Sequence, residues 1–94
     1  MSGEQTRKRK ESKALPRARQ KEFDEFRLAL GRRIKHLRLS RNLSQEDMDD
    51  TDPGLALTTL VNIELGNRNP TILSLFLIAK RLEVDVVDLF KFKA

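Results

Sequence analysis

From Phe23 onward the apolar residues recur at steps of three and four and in no segment alternate at two, so this chain can bury them only by forming helices. In "QKEFDEFRLALGRRIKHLRLSRN", Phe23, Phe26, Leu30, Ile34 and Leu37 line one face of a first helix, which Asn42 stops. Gly31 weakens that helix by about 1 kcal/mol relative to Ala without ending it. Ser44, with Asp47 three residues on, caps a second helix that places Gln45 and Glu46 in its first turn and Met48 on its buried side. "TDPG" breaks it. A third helix covers about 55–65, with Leu55, Leu60 and Ile63 as core positions and Gly66 as its stop. Its start has two solutions: Asp52 as cap with Pro53 in the first position, or a later start at Ala56. Thr71 caps a fourth helix running to Leu82, and Asp85 caps a short fifth, "VVDLFKF". The expected fold is all-α, a compact five-helix bundle over residues 22–94.

The 94 residues suffice for one small domain, which buries only about 60–65% of its unfolded surface. With no Cys there is no disulfide, thiol nucleophile or thiolate metal site, which fits a reducing compartment. The single His36 falls between the apolar positions of the first helix and is expected at the surface. No glycine-rich phosphate loop is present, and the five carboxylates from Glu46 to Asp52 read as a solvated face rather than a metal site. An enzyme, a metal, a cofactor and a small-molecule ligand are therefore not expected. Nor is a membrane span, because no apolar stretch approaches the roughly 20 residues required.

The net charge of +5 is unevenly placed. Residues 1–21 hold eight Lys/Arg against two acids, whereas residues 22–94 hold eleven against twelve. We read residues 1–21 as a flexible basic N-terminal arm preceding a nearly neutral domain. Such an arm is a solvated tail, a strand that tracks phosphates or enters a minor groove, or, in a eukaryote, an import signal.

At "LSQEDMDD", "LVNIELGNRNP" and "LFLIAKRLEVDVVDLF" the chain resembles the Xre family of phage-repressor-like helix-turn-helix regulators, which includes restriction-modification controller proteins. The resemblance covers roughly residues 27–90 and rests on a long ordered pattern rather than one short motif. It implies a lambda repressor-like DNA-binding domain, a homodimer on double-stranded DNA, and a cytoplasmic, nucleoid-associated, bacterial or phage-encoded protein. The third helix would enter the major groove while the second crosses the backbone. Carried over by position, Ser44 and Gln45 would meet the backbone end of the site. Leu57, Thr58, Thr59 and Asn62 would line the reading face, and Asn67, Arg68 and Asn69 would meet phosphate. Arg38 and Glu64 match an architectural ion pair.

The chain also departs from that family. The turn "DDTDPGL" is one residue longer, Asp49 replaces a small Ala, and Ala56 replaces the usual Ser or Thr cap. Base edges are usually read by Arg, Lys, Asn or Gln, whose forks match paired donors and acceptors. Here the outward positions are Leu57, Thr58, Val61, Asn62 and Leu65, and only Asn62 carries an amide. The Leu57/Val61/Leu65 stripe would touch thymine methyls or pack on protein. Two functions therefore compete: a sequence-specific dimeric transcriptional regulator, and a protein-interaction module on the same scaffold with only tail-driven DNA binding. Leu73, Leu77, Val87 and Phe92, on the fourth and fifth helices, are the expected subunit interface.

Overall fold

The computed structural model describes residues 14–49 and 54–93, and every described element is helical. Helix α1 spans Arg17–Ser40, α2 spans Leu57–Glu64 and α3 spans Ile72–Leu82. Two 3-10 turns, Glu46–Met48 and Val86–Phe90, stand where the second and fifth helices of a five-helix bundle were expected.

That difference has a local cause. Each turn is closed by a reciprocal cap: Ser44 and Asp47 exchange bonds of 2.7 and 3.0 Å, and Asp85 pairs with Asp88 in the same way. After the first cap the chain meets consecutive aspartates of poor helix propensity, and Asp49 leaves the helical region at φ −99°, ψ 78°. After the second, two β-branched valines and only five residues give little to propagate a helix.

Helix α1 begins directly after Pro16, so residues 17–21 belong to it rather than to an arm, and residues 1–13 lie outside the described residues. Ion pairs and amide bonds along its exposed first turns (Arg19 with Glu22, Gln20 with Asp24) support this early start. It ends where Asn42 turns to φ 57° and the Leu43 amide returns to the Arg38 carbonyl. Helix α2 starts at Leu57 with Ala56 as its unassisted N-cap, the later of the two expected starts; Asp52 and Pro53 lie outside the described residues. Thr71 caps α3 by accepting from the Ser74 amide at 3.0 Å.

The core joins Leu30, Ile34 and Leu37 of α1 to Met48, Leu55, Leu60, Ile63, Ile78, Leu82 and Leu89. Phe26 does not reach it. Its ring is partly exposed and instead stacks with Phe90 and meets Phe92 at a tilt, at centroid distances of 6.2 and 5.3 Å. His36 is exposed.

Gly31 proves more than a weak point in α1. A Cβ there would lie 2.5 Å from the Ile63 carbonyl oxygen and 2.7 Å from that of Glu64. The C-terminal end of α2 therefore rests on bare backbone of α1. Gly66 then turns the chain at φ 77° against Leu28.

Candidate nucleic-acid interface

The position of α2 is fixed from beneath by charge as well as by close approach. Arg38 and Glu64 are buried, with side chains only 6% and 3% exposed, and form a two-pronged pair at 2.7 and 3.0 Å. The third prong of Arg38 donates to the Leu43 carbonyl at 2.8 Å. The hydrogen bond with the Glu64 carboxylate raises the guanidinium above its ordinary pKa, outweighing the opposite push of burial. Gln45 completes the cluster, donating from Nε2 to Glu64 Oε1 at 3.0 Å. One cluster thus joins α1, the entry to the first 3-10 turn and α2.

With Leu60, Ile63 and Glu64 turned inward, helical period places Leu57, Thr58, Val61, Asn62 and Leu65 on the outer side of α2. Leu57 is 39% exposed and Leu65 57%; Thr58 is exposed, while Thr59, Val61 and Asn62 are half-buried. Asn67, Arg68 and Asn69 follow on an exposed loop.

Several polar groups of this surface are engaged within the chain. Asn62 donates from Nδ2 to the Thr58 carbonyl at 2.9 Å, and Arg68 reaches back to Thr59 Oγ1 at 3.2 Å. Asn69 accepts from Arg27 at 2.7 Å, tying the loop to α1. Ser44 is exposed but its amide and hydroxyl serve Asp47 rather than α2. Arg27 is the residue that sequence reasoning missed. It stacks over Phe23, pairs with Asp24 and holds Asn69, yet no local signal links positions 42 residues apart.

The acidic stretch lies at the surface as far as it is described, with Glu46, Asp47 and Asp49 exposed. Asp49, where a small residue is usual, points to solvent because the chain has already left its 3-10 turn. Hydrogen bonds from the Ser44 backbone and hydroxyl hold the Asp47 carboxyl below the usual carboxylate range. Asp50 and Asp52 lie outside the described residues.

A second apolar surface lies on α3. Ile78, Ala79 and Leu82 face the core, whereas Ile72 (86%), Leu73 (62%) and Phe76 are exposed, with Val87 (68%) nearby in sequence on the C-terminal turn. Leu77 is half-buried, and Phe92 packs within the chain against Phe26 and Phe90. Among the described residues no group of His, Asp or Glu could hold a metal ion, and no helix is long and apolar enough to cross a membrane.

Comparison with known proteins adds two findings. The family described as Helix-turn-helix matches residues 34–89 of the chain. The crystal structure of the restriction-modification controller protein C.AhdI from Aeromonas hydrophila superposes with a TM-score of 0.62 at 27% identity, over 67% of this chain and 94% of that one. No curated protein sequence matches.

Proposed function

Because the chain belongs to the helix-turn-helix family, as an Xre-like DNA-binding regulator, we propose that it acts as a sequence-specific homodimer with α2 in the major groove. The observation that carries this reading is the mounting of α2. One side is locked by Gly31 and the Arg38–Glu64 pair, and the other side, from Leu57 to Leu65, is turned outward. A reading helix needs that rigid seat, because base contacts fail when the helix shifts by an ångström.

In this reading Ser44 and Gln45 meet the backbone at one end, and Asn67, Arg68 and Asn69 meet phosphate at the other. Leu57, Thr58, Thr59 and Asn62 lie between them in the groove. Arg68 would leave Thr59 for a phosphate at little cost, since Arg68 is exposed and the bond between them lies in solvent. Two copies would meet through Leu73, Leu77 and Val87, with Ile72 and Phe76 joining them. The exposed apolar area of α3 supports this pairing. The controller protein supports assignment to transcriptional control in the cytoplasm of a bacterium or phage host.

The test is selection from a random duplex library at physiological salt, using the full chain and a chain lacking residues 1–13, a deletion that stops short of α1. Recovery of one two-fold symmetric site by both, with half-sites about one helical turn apart, is the expected outcome. On that site Arg68→Ala should weaken all sequences alike and lower the salt slope by about one, whereas Asn62→Ala should alter preference. No enrichment, with residual binding lost on deletion of the arm, would replace the reading with a protein-interaction module. The exposure of Leu57 and Leu65 favours that second reading.

A further inference from the structure

We propose that base recognition by this protein is directed chiefly at thymine methyl groups, covered by Leu57, Thr58 and Val61 on the outer face of α2. The inference rests on the reading of α2 as the groove element and adds what that helix selects.

Among the outward side chains of α2 only Asn62 carries a forked donor that suits a base edge, and the chain itself holds it, since it donates to the Thr58 carbonyl at 2.9 Å. Gln45 beside α2 is held likewise, donating to Glu64 at 3.0 Å. The Gln45 bond joins a buried ion pair, so releasing it would disturb the seat of α2. Besides Asn62, the first two turns present outward the exposed Leu57 isobutyl group, the half-buried Val61 and Thr58, whose side chain carries a methyl beside its hydroxyl.

Hydrocarbon is selective in the major groove. Thymine alone adds a methyl to that edge, whereas the other bases present only donors and acceptors there. Leucine laid on a methyl removes apolar surface from water and gains roughly fourfold in affinity per methyl covered. Leucine laid on the amino group of adenine or cytosine, or on guanine O6, strips water from a polar group and returns no hydrogen bond. The same side chain therefore favours thymine and disfavours the rest. Protein could also cover the stripe, and the experiment separates the two occupants.

Within the selected site, each half-site thymine is replaced in turn by deoxyuridine, which removes only the methyl, and affinity of the full chain is read by fluorescence anisotropy. One or two positions per half-site should lose roughly fourfold each. In Leu57→Ala, whose lost atoms are partly solvent-exposed, and separately in Val61→Ala, that sensitivity should shrink towards unity. Undiminished affinity at every deoxyuridine would overturn the methyl code while leaving α2 as a groove reader. Equal sensitivity in wild type and both variants would also overturn it, because the effect would then lie in DNA shape. Failure to select any site would overturn the groove reading and this inference together.

Discussion

Helices α2 and α3 each turn three residues inward, but they are held in different ways. Helix α2 is seated by directional contacts: the backbone touch at Gly31, the fork between Arg38 and Glu64, and the Gln45 amide. Helix α3 is held mainly by aliphatic burial of Ile78, Ala79 and Leu82, with a tether from Arg81 to the Asp47 carbonyl at 2.9 Å near its far end, and it leaves Ile72, Leu73 and Phe76 uncovered. The difference teaches that orientation and adhesion are separate demands. A helix that presents a face to a rigid partner needs contacts that fail when it shifts. A helix that joins another copy needs area.

The largest test of this contrast is removal of the Glu64 carboxylate. Glu64→Ala leaves the Arg38 guanidinium buried without its partner and should cost about 3–5 kcal/mol in urea unfolding. The double change Arg38→Met with Glu64→Leu should recover most of that loss, because two apolar groups need no pairing. A single-variant loss below about 1 kcal/mol would mean that water reaches the pair and that α2 is not seated on it.

Gly31→Ala comes next, and its sign is the test. At an unhindered helix position the change gains about 1 kcal/mol in propensity. Here the new methyl meets two backbone oxygens that cannot rotate away, so α1 and α2 must part. Overpacking of this kind costs about 1–3 kcal/mol, and a net loss is expected. A gain in thermal unfolding temperature would show that the junction is looser than its distances.

The same junction explains what was legible in the sequence and what was not. Caps are local, so Ser44 with Asp47, Thr71 with Ser74, Asp85 with Asp88 and the stop at Gly66 could be read from residues a few positions apart. The Arg38–Glu64 pair followed from the family pattern. The role of Gly31 was hidden, because a glycine that permits close approach and one that merely weakens a helix look the same in one chain. The contact between Arg27 and Asn69 was hidden for a similar reason: it exists only once α1 and the loop are packed. Turn lengths misled, since strong caps predicted helices where acidic and β-branched runs stop propagation after one 3-10 turn. Phe92, expected at a subunit interface for its apolar ring, also closes an aromatic trio within the chain that only the packed fold brings together.

On α3 the expected effects on folding are small and those on assembly large. Ile72→Ser and Leu73→Ser remove side chains that are mostly in solvent, so monomer stability should change by no more than about 0.5 kcal/mol each. Together they should weaken the proposed dimer by about tenfold or more, measured by sedimentation equilibrium. Unchanged association would move the interface elsewhere and leave this surface without a partner. A large stability loss would instead mean that α3 is turned, with these residues in the core.

The smallest expected effect lies at the two capping carboxylates, which bracket the contrast from either side. Asp47 is held below the usual carboxylate range by hydrogen bonds from Ser44, and Asp88 by a hydrogen bond from Lys91 with help from the Asp85 backbone. A carboxyl whose pKa is lower folded than unfolded binds fewer protons in the native state. Its stabilisation is therefore complete above the unfolded value near 3.8 and is lost as pH falls through the folded one. Urea midpoints should decline between about pH 4 and 2, with a shallower decline in Asp47→Asn and in Asp88→Asn. The two variants should differ in salt dependence. Asp47 relies mainly on short neutral donors, so its share should survive 1 M salt, whereas the share Asp88 draws from Lys91 should be partly screened. If salt acted equally on both, the first turn would be held by charge like the second, and Arg81, which donates to the Asp47 carbonyl, would be the cation to substitute next.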